Sequence, residues 1–222
     1  MTVPLPWAEI DTVLLDMDGT LLDLHFDNHF WLQYLPQRYA QRHGISQAMA
    51  EMELAPLFER TQGRLAWYCL DYWTAELDLP LREMKREIAD RIALRPGVDS
   101  FLAFLRQTGK QVALITNAHP DSLSLKLERI ELAPWFDRLI SSHEYGFPKE
   151  EQQFWFCLRE DLGFNPERVL FIDDSLPILR SARRFGIRHL LAVREPDSRQ
   201  GVKDTQEFSA MEDYCELTNR LA

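Results

Sequence analysis

Cysteine is scarce: 222 residues hold three, Cys69, Cys157 and Cys215, widely separated, odd in number and in no metal-binding spacing. They offer no disulfide framework and read as small, reduced apolar side chains, none with a neighbouring base that would make it a nucleophile. Long apolar runs are absent too, and none approaches the length of a membrane span. No basic residue precedes Arg38, so the charged start of a secretory signal is missing and a cytoplasmic location is expected. Positive charge is in deficit, with 25 Lys and Arg against 35 Asp and Glu and a formal charge of -10. A surface of that sign repels nucleic acid polymers and membranes, and neither is expected as a partner. Any phosphate-bearing ligand needs a locally positive pocket. There are no internal repeats or low-complexity segments.

What is present begins with the run from Thr12 to Leu21, TVLLDMDGTL. Val13, Leu14 and Leu15 predict a short buried strand, and Gly19 frees the backbone to turn, so Asp16 and Asp18 stand at a strand's carboxyl end. In open α/β sheets that edge holds the ligand crevice. Two carboxylates so close need a positive partner, and their hard oxygens suit magnesium. A calcium loop is excluded, because counting from Asp16 its sixth and twelfth positions hold Leu21 and Asp27 instead of Gly and Glu. Asp-x-Asp-Gly also suits a plain solvated turn, and the choice rests on the rest of the chain.

From about residue 28 to 91 the spacing is helical, with helices expected over 30–39, 47–60, 65–75 and 81–92. Strands then return at 112–116, 139–142, 169–173 and 189–193, separated by helices near 98–107, 122–130 and 150–162. That alternation predicts a parallel sheet. The whole reads as an α/β protein with a doubly wound core interrupted after its first strand by a helical insert, and Arg95-Pro96-Gly97 marks the return. Residues 195–204 read as an exposed loop and 211–221 as a closing helix.

Other strand ends carry polar groups. The second runs into Thr116-Asn117, whose hydroxyl and backbone amides could hold phosphate oxygens, although both residue types also close strands. Lys149 follows the third, and Asp173-Asp174 ends the fourth, where Asp174 also suits a helix cap. In this order the four signals resemble the haloacid dehalogenase-like (HAD) superfamily of phosphohydrolases over nearly the whole chain, with the motifs Asp16-Met17-Asp18-Gly19-Thr20, Thr116, Lys149 and Asp173-Asp174. The resemblance implies a Rossmann-like core at 1–23 and 95–222 with a C1-type helical cap at 24–94.

It also implies roles. Asp16 would be the nucleophile that forms an aspartyl-phosphate and Asp18 the acid and base. Mg2+ would bind the Asp16 carboxylate, the Asp18 carbonyl and Asp174. Thr116 and the Asn117 amide would hold phosphoryl oxygens and Lys149 would neutralise charge. Asp173 would orient Lys149 or a metal-bound water; many relatives have Gly there, which leaves both acids open as direct ligands, with Asp174 favoured. Dehalogenases of the superfamily replace the second Asp, so Asp18 favours phosphoester hydrolysis.

The insert is rich in aromatic residues. Most should pack in its core, Trp31, Tyr34 and Trp73 at helical spacing among them, yet an aromatic wall also suits a nucleobase. The segments 24–31 and 145–150 resemble the bacterial GMP/IMP 5'-nucleotidase branch, which implies a small phosphate monoester, a purine 5'-nucleotide, as substrate. Phe26, Asn28, His29 and Arg64 are the candidate base or ribose contacts, though Asn28 equally suits a helix cap and His29 and Arg64 an exposed surface. The competing readings are a sugar-phosphate or phosphoglycolate phosphatase, a phosphomutase that returns the phosphate, and a catalytically silent nucleotide-binding protein.

Overall fold

The computed structural model describes residues 5–218. Its centre is β1 (Thr12–Leu15), buried at all four positions because parallel neighbours flank it and helices cover both faces. The other strands are β2 (Gln111–Thr116), β3 (Arg138–Ser141), β4 (Val169–Asp173), β5 (His189–Val193) and β6 (Ala210–Met211). All pair in parallel in the order β3-β2-β1-β4-β5-β6. This is the expected Rossmann-like α/β core, enlarged by one short edge strand.

Side-chain alternation divides the interior into two layers. Val13, Leu15, Leu114, Leu170 and Ile172 face one, and Leu14, Ala113, Ile115 and Phe171 the other. The second layer is closed by α9 (Gln152–Leu162) and α10 (Leu176–Phe185), which bury Phe154, Trp155, Leu158, Leu179 and Ala182. Register aligns Leu15 with both Leu114 and Ile172. Because β1 separates strands that wind in opposite directions, the chain leaving it opens a crevice at the carboxyl edge.

Between β1 and β2 run α1 (His25–His29), a π-helical turn at Phe30–Tyr34, α2 (Leu35–His43), α3 (Gln47–Thr61), α4 (Leu65–Tyr68), α5 (Leu70–Leu77) and α6 (Leu81–Glu87), followed by α7 (Val98–Gln107). The helix expected over 65–75 is broken at Cys69, whose extended backbone lets its sulfur cap α5 by accepting the Tyr72 N–H. Leu22 bridges Leu94 in antiparallel fashion, and Asp23 N–H donates to the Ala93 carbonyl at 2.9 Å, so the chain leaves for these helices and returns side by side. After β2, α8 (Pro120–Arg129) leads to β3.

Two expectations need correction at the C-terminal side. Within 195–204, Pro196 and Asp197 are buried, because Asp197 accepts hydrogen bonds from Asn28 and the Arg199 N–H. Met211 belongs to β6 instead of opening a helix, residues 212–214 are not helical, and α11 is described over Cys215–Thr218; residues 219–221 of the expected helix lie outside the described residues. None of the described helices is long and apolar enough to cross a membrane.

Candidate active site

Asp16 follows β1 directly, and its N–H donates to the Ile172 carbonyl at 3.0 Å, continuing the ladder by one residue. The side chain is buried. Oδ1 accepts from Lys149 Nζ at 2.6 Å, whereas Oδ2 is buried without a hydrogen-bond partner among the described residues. Lys149 is wholly enclosed, and its ammonium also donates to Asp173 Oδ2 at 2.8 Å and the Ile115 carbonyl at 3.1 Å, which engages all three of its N–H groups. Burial alone would lower this lysine's pKa, but the Asp16 and Asp173 carboxylates outweigh it and hold the ammonium charged.

Thr116 ends β2, buried, with Oγ1 accepting the Ala118 N–H at 3.0 Å. The Asn117 side chain ties two loops together: Oδ1 accepts the Lys149 N–H and Nδ2 donates to Glu150 Oε2, both at 2.9 Å. A ligand would therefore meet the main chain of Asn117. From α4, the Tyr68 hydroxyl donates to the other oxygen of Glu150 at 2.6 Å.

Asp173 has both oxygens engaged, since Oδ1 takes the Ser175 N–H at 2.7 Å and Oδ2 takes Lys149. Asp174 packs over Gly19, where a Cβ would lie 2.8 Å from the Asp174 Cγ and where φ is +85°. Carboxylate oxygens of Asp16, Asp173 and Asp174 lie within 4.8 Å of one another. Burial is the leading cause that pushes Asp16, Asp18, Asp173 and Asp174 each up to about 6, so protein alone does not neutralise the cluster. The orphaned Asp16 Oδ2, the less encumbered Asp174 and the all-oxygen donor set fit a hard divalent cation.

Asp18 is held by a group that the motifs do not include. Lys126, on α8 and 1 % exposed, donates to Asp18 Oδ1 at 2.6 Å and to Asp27 Oδ2 at 2.7 Å. Lys85, on α6, donates to Asp27 Oδ1 at 2.7 Å. Burial would raise the Asp27 carboxyl's pKa, but Lys126 and Lys85 drive it well below the usual range. The Lys126 ammonium is raised because Asp18 and Asp27 outweigh burial, whereas burial prevails at Lys85 and lowers it. A sequence signal exists for both lysines: Lys85 shares an apolar helix face with Leu81, Met84 and Ile88, and Lys126 follows Leu123 at helical spacing.

A cavity of about 230 Å³ is lined by Asp16, Asp18, Thr116, Asn117, Lys149, Asp173 and Asp174, and also by Asn28, Trp31, Trp67, Tyr68, Lys85 and Lys126. Trp31 and Trp67 stack with ring centres 6.1 Å apart and planes at 21°. Three candidate contacts stand elsewhere. Phe26 is buried beneath Lys85 and Lys126, its ring centre 5.1 and 5.5 Å from their ammonium nitrogens. His29 pairs with Gln33 on the outer side of its helix, and Arg64 is exposed at the start of α4. Proximity to the first motif along the chain does not carry these side chains inward, because a helix presents only one stripe to the cavity.

Residues 10–186 match the model of a hydrolase family, the haloacid dehalogenase-like hydrolases. The chain is 43% identical over 221 residues to GMP/IMP nucleotidase YrfG of Escherichia coli, covering 100% of both chains. It is 23% identical to a phosphorylated carbohydrates phosphatase of Thermotoga maritima, covering 83% of this chain and 85% of the other. The crystal structure of a HAD phosphatase from Thermococcus onnurineus superposes with a TM-score of 0.76 at 23% identity, over 94% of this chain and 96% of that one. With the family model spanning its core and a nucleotidase matching it end to end, the chain belongs to the haloacid dehalogenase-like hydrolases and is a phosphoric monoester hydrolase.

Proposed function

We propose that this hydrolase removes the phosphate of purine nucleoside 5'-monophosphates, GMP and IMP, and that it does so in two steps through Asp16. The observation that carries the substrate assignment is the end-to-end similarity to the Escherichia coli GMP/IMP nucleotidase. Trp31 and Trp67, which line the same cavity as the acids, support it, because aromatic faces suit a base.

In the first step an Asp16 carboxylate oxygen forms a bond to phosphorus while the bond to the nucleoside 5'-oxygen breaks. Asp18 gives its proton to that departing oxygen. In the second step Asp18 takes a proton from water as the water oxygen bonds to phosphorus, and the Asp16 carboxylate is released with inorganic phosphate. Thr116 and the Asn117 main chain orient the phosphoryl oxygens, and Lys149 offsets negative charge shared between them and Asp16. Asp16, the Asp18 carbonyl and Asp174 would hold Mg2+, with Asp173 fixing Lys149; the ion's charge lets an anionic nucleophile meet an anionic phosphate.

Residues 24–94 act in this reading as a cap, and 1–23 with 95–222 as the core. Its support is that Asn28, Trp31, Trp67, Tyr68 and Lys85 face the same cavity as the catalytic acids. The test is phosphate release with Mg2+ from GMP, IMP, AMP, ribose 5-phosphate, glucose 6-phosphate and phosphoglycolate. The highest kcat/KM belongs to GMP and IMP, and comparable values across the panel would overturn the nucleotide assignment.

A further inference from the structure

Lys85 is 2 % exposed, a costly place for an ammonium unless its hydrogen-bonding groups are used. It has three N–H groups, and Asp27 Oδ1 at 2.7 Å is their hydrogen-bond acceptor among the described residues. The rings of Phe26, Phe30 and Trp31 are centred 5.1, 4.8 and 5.7 Å from Nζ, and the side chain borders the cavity that holds the acids. Donors are thus left over on a side chain that borders a ligand space.

Its position relative to the chemistry is fixed by a line of hydrogen bonds. Asp18 accepts from Lys126, Lys126 donates to Asp27, and Asp27 accepts from Lys85. Lys85 therefore stands three hydrogen bonds from Asp18 and lines the same cavity as Asp16 and Asp18. Trp31, whose ring packs against Lys85, stacks on Trp67 and lines the same space.

Guanine and hypoxanthine both carry an oxygen at position 6, an acceptor on the purine edge. Adenine carries an amino group there, which meets an ammonium donor with another donor. We propose that Lys85 donates to the 6-oxo group of the bound purine and so selects 6-oxopurine over 6-aminopurine nucleotides. This inference rests on the reading of the substrate as a purine 5'-nucleotide. Lys85 is a specificity residue here and takes no part in bond making or breaking.

The test measures kcat/KM by phosphate release with Mg2+ for IMP, AMP, purine riboside 5'-monophosphate and ribose 5-phosphate, in the wild type and Lys85→Met. The wild type favours IMP over AMP, and the substitution narrows that ratio by about 10- to 100-fold, the weight of one hydrogen bond from a charged donor. A lysine that merely props Asp27 would lower both substrates alike, so an unchanged ratio overturns the proposal. A second arm needs no variant: purine riboside 5'-monophosphate, which lacks any group at position 6, behaves like AMP in the wild type. Hydrolysis of it as efficiently as IMP overturns the proposal even where Lys85→Met fails to fold. Equal wild-type turnover of ribose 5-phosphate and IMP defeats the nucleotide reading itself, whereas purine preference with an unaltered ratio in Lys85→Met defeats Lys85 alone.

Discussion

Lys126 Nζ lies 2.6 Å from Asp18 Oδ1, although the two residues are 108 positions apart in the chain. The same ammonium reaches Asp27 Oδ2 at 2.7 Å, so it both steadies the proposed acid and base and joins it to α1. Removing it frees Asp18 to turn away from the leaving group. Lys126→Met is expected to slow IMP hydrolysis by about 10²-fold, the lower end of what a positioned acid or base contributes. The initial burst of p-nitrophenol from p-nitrophenyl phosphate, whose leaving group departs without a proton, should fall much less. Equal losses in stopped-flow assays of both substrates would show that Lys126 acts on the fold as a whole.

Asp16→Asn keeps the side chain's size and removes the proposed anionic nucleophile. It also removes a carboxylate whose pKa burial has pushed up to about 6, so its loss costs the folded state little. The expected outcome is phosphate release reduced to background with a melting temperature near that of the wild type. Turnover close to wild type in the presence of Mg2+ would exclude Asp16 as nucleophile.

Gly19 is a geometric test of the metal site. Its φ of +85° is a region L side chains avoid, and an added Cβ would press on Asp174 at 2.8 Å. Gly19→Ala should lose about 1–2 kcal/mol of stability from the backbone alone. Displacing Asp174 should also weaken Mg2+ binding, as should Asp174→Asn. For the wild type, Mg2+ at a hundred times its Kd adds about 2.7 kcal/mol to stability. Thermal melts with and without Mg2+ should show that increment in the wild type and a much smaller one in both variants; an undiminished increment in Asp174→Asn would remove Asp174 from the ligand set.

The sheet is legible in the sequence because its central strands, β1 and β4, are buried on both faces. Runs such as Val169 to Ile172 have no polar alternation to obscure them, and the groups that follow are polar for reasons of chemistry. Shorter or mixed elements escape. β6 has only two residues, and α10, which carries Pro177 in its first turn and three arginines, is absent from the reading although it covers one face of β4. The helix break at Cys69 depends on a sulfur cap that composition does not announce.

The same contrast holds in the site. Asp16, Asp18, Thr116, Lys149 and Asp174 are legible because each ends or follows a strand and the topology collects strand ends. Lys85 and Lys126 sit within helices, where a lysine ordinarily points to water; only their place on apolar faces distinguishes them, and their partners Asp27 and Asp18 come from distant turns of chain. Phe26 and Asn28 show the limit of reading by proximity, since two residues apart on α1 one is buried beneath the lysines and the other borders the cavity.

The most direct test of two-step transfer through Asp16 is to trap the enzyme partway. Asp18→Asn, mixed with Mg2+ and p-nitrophenyl phosphate and quenched in acid, can accept the phosphoryl group but lacks the base that activates water. Peptide mass spectrometry should find one added phosphoryl group on the peptide containing Asp16, and none in the Asp16→Asn, Asp18→Asn double variant. A phosphoryl group on any other residue, or the same adduct surviving in the double variant, would contradict the account.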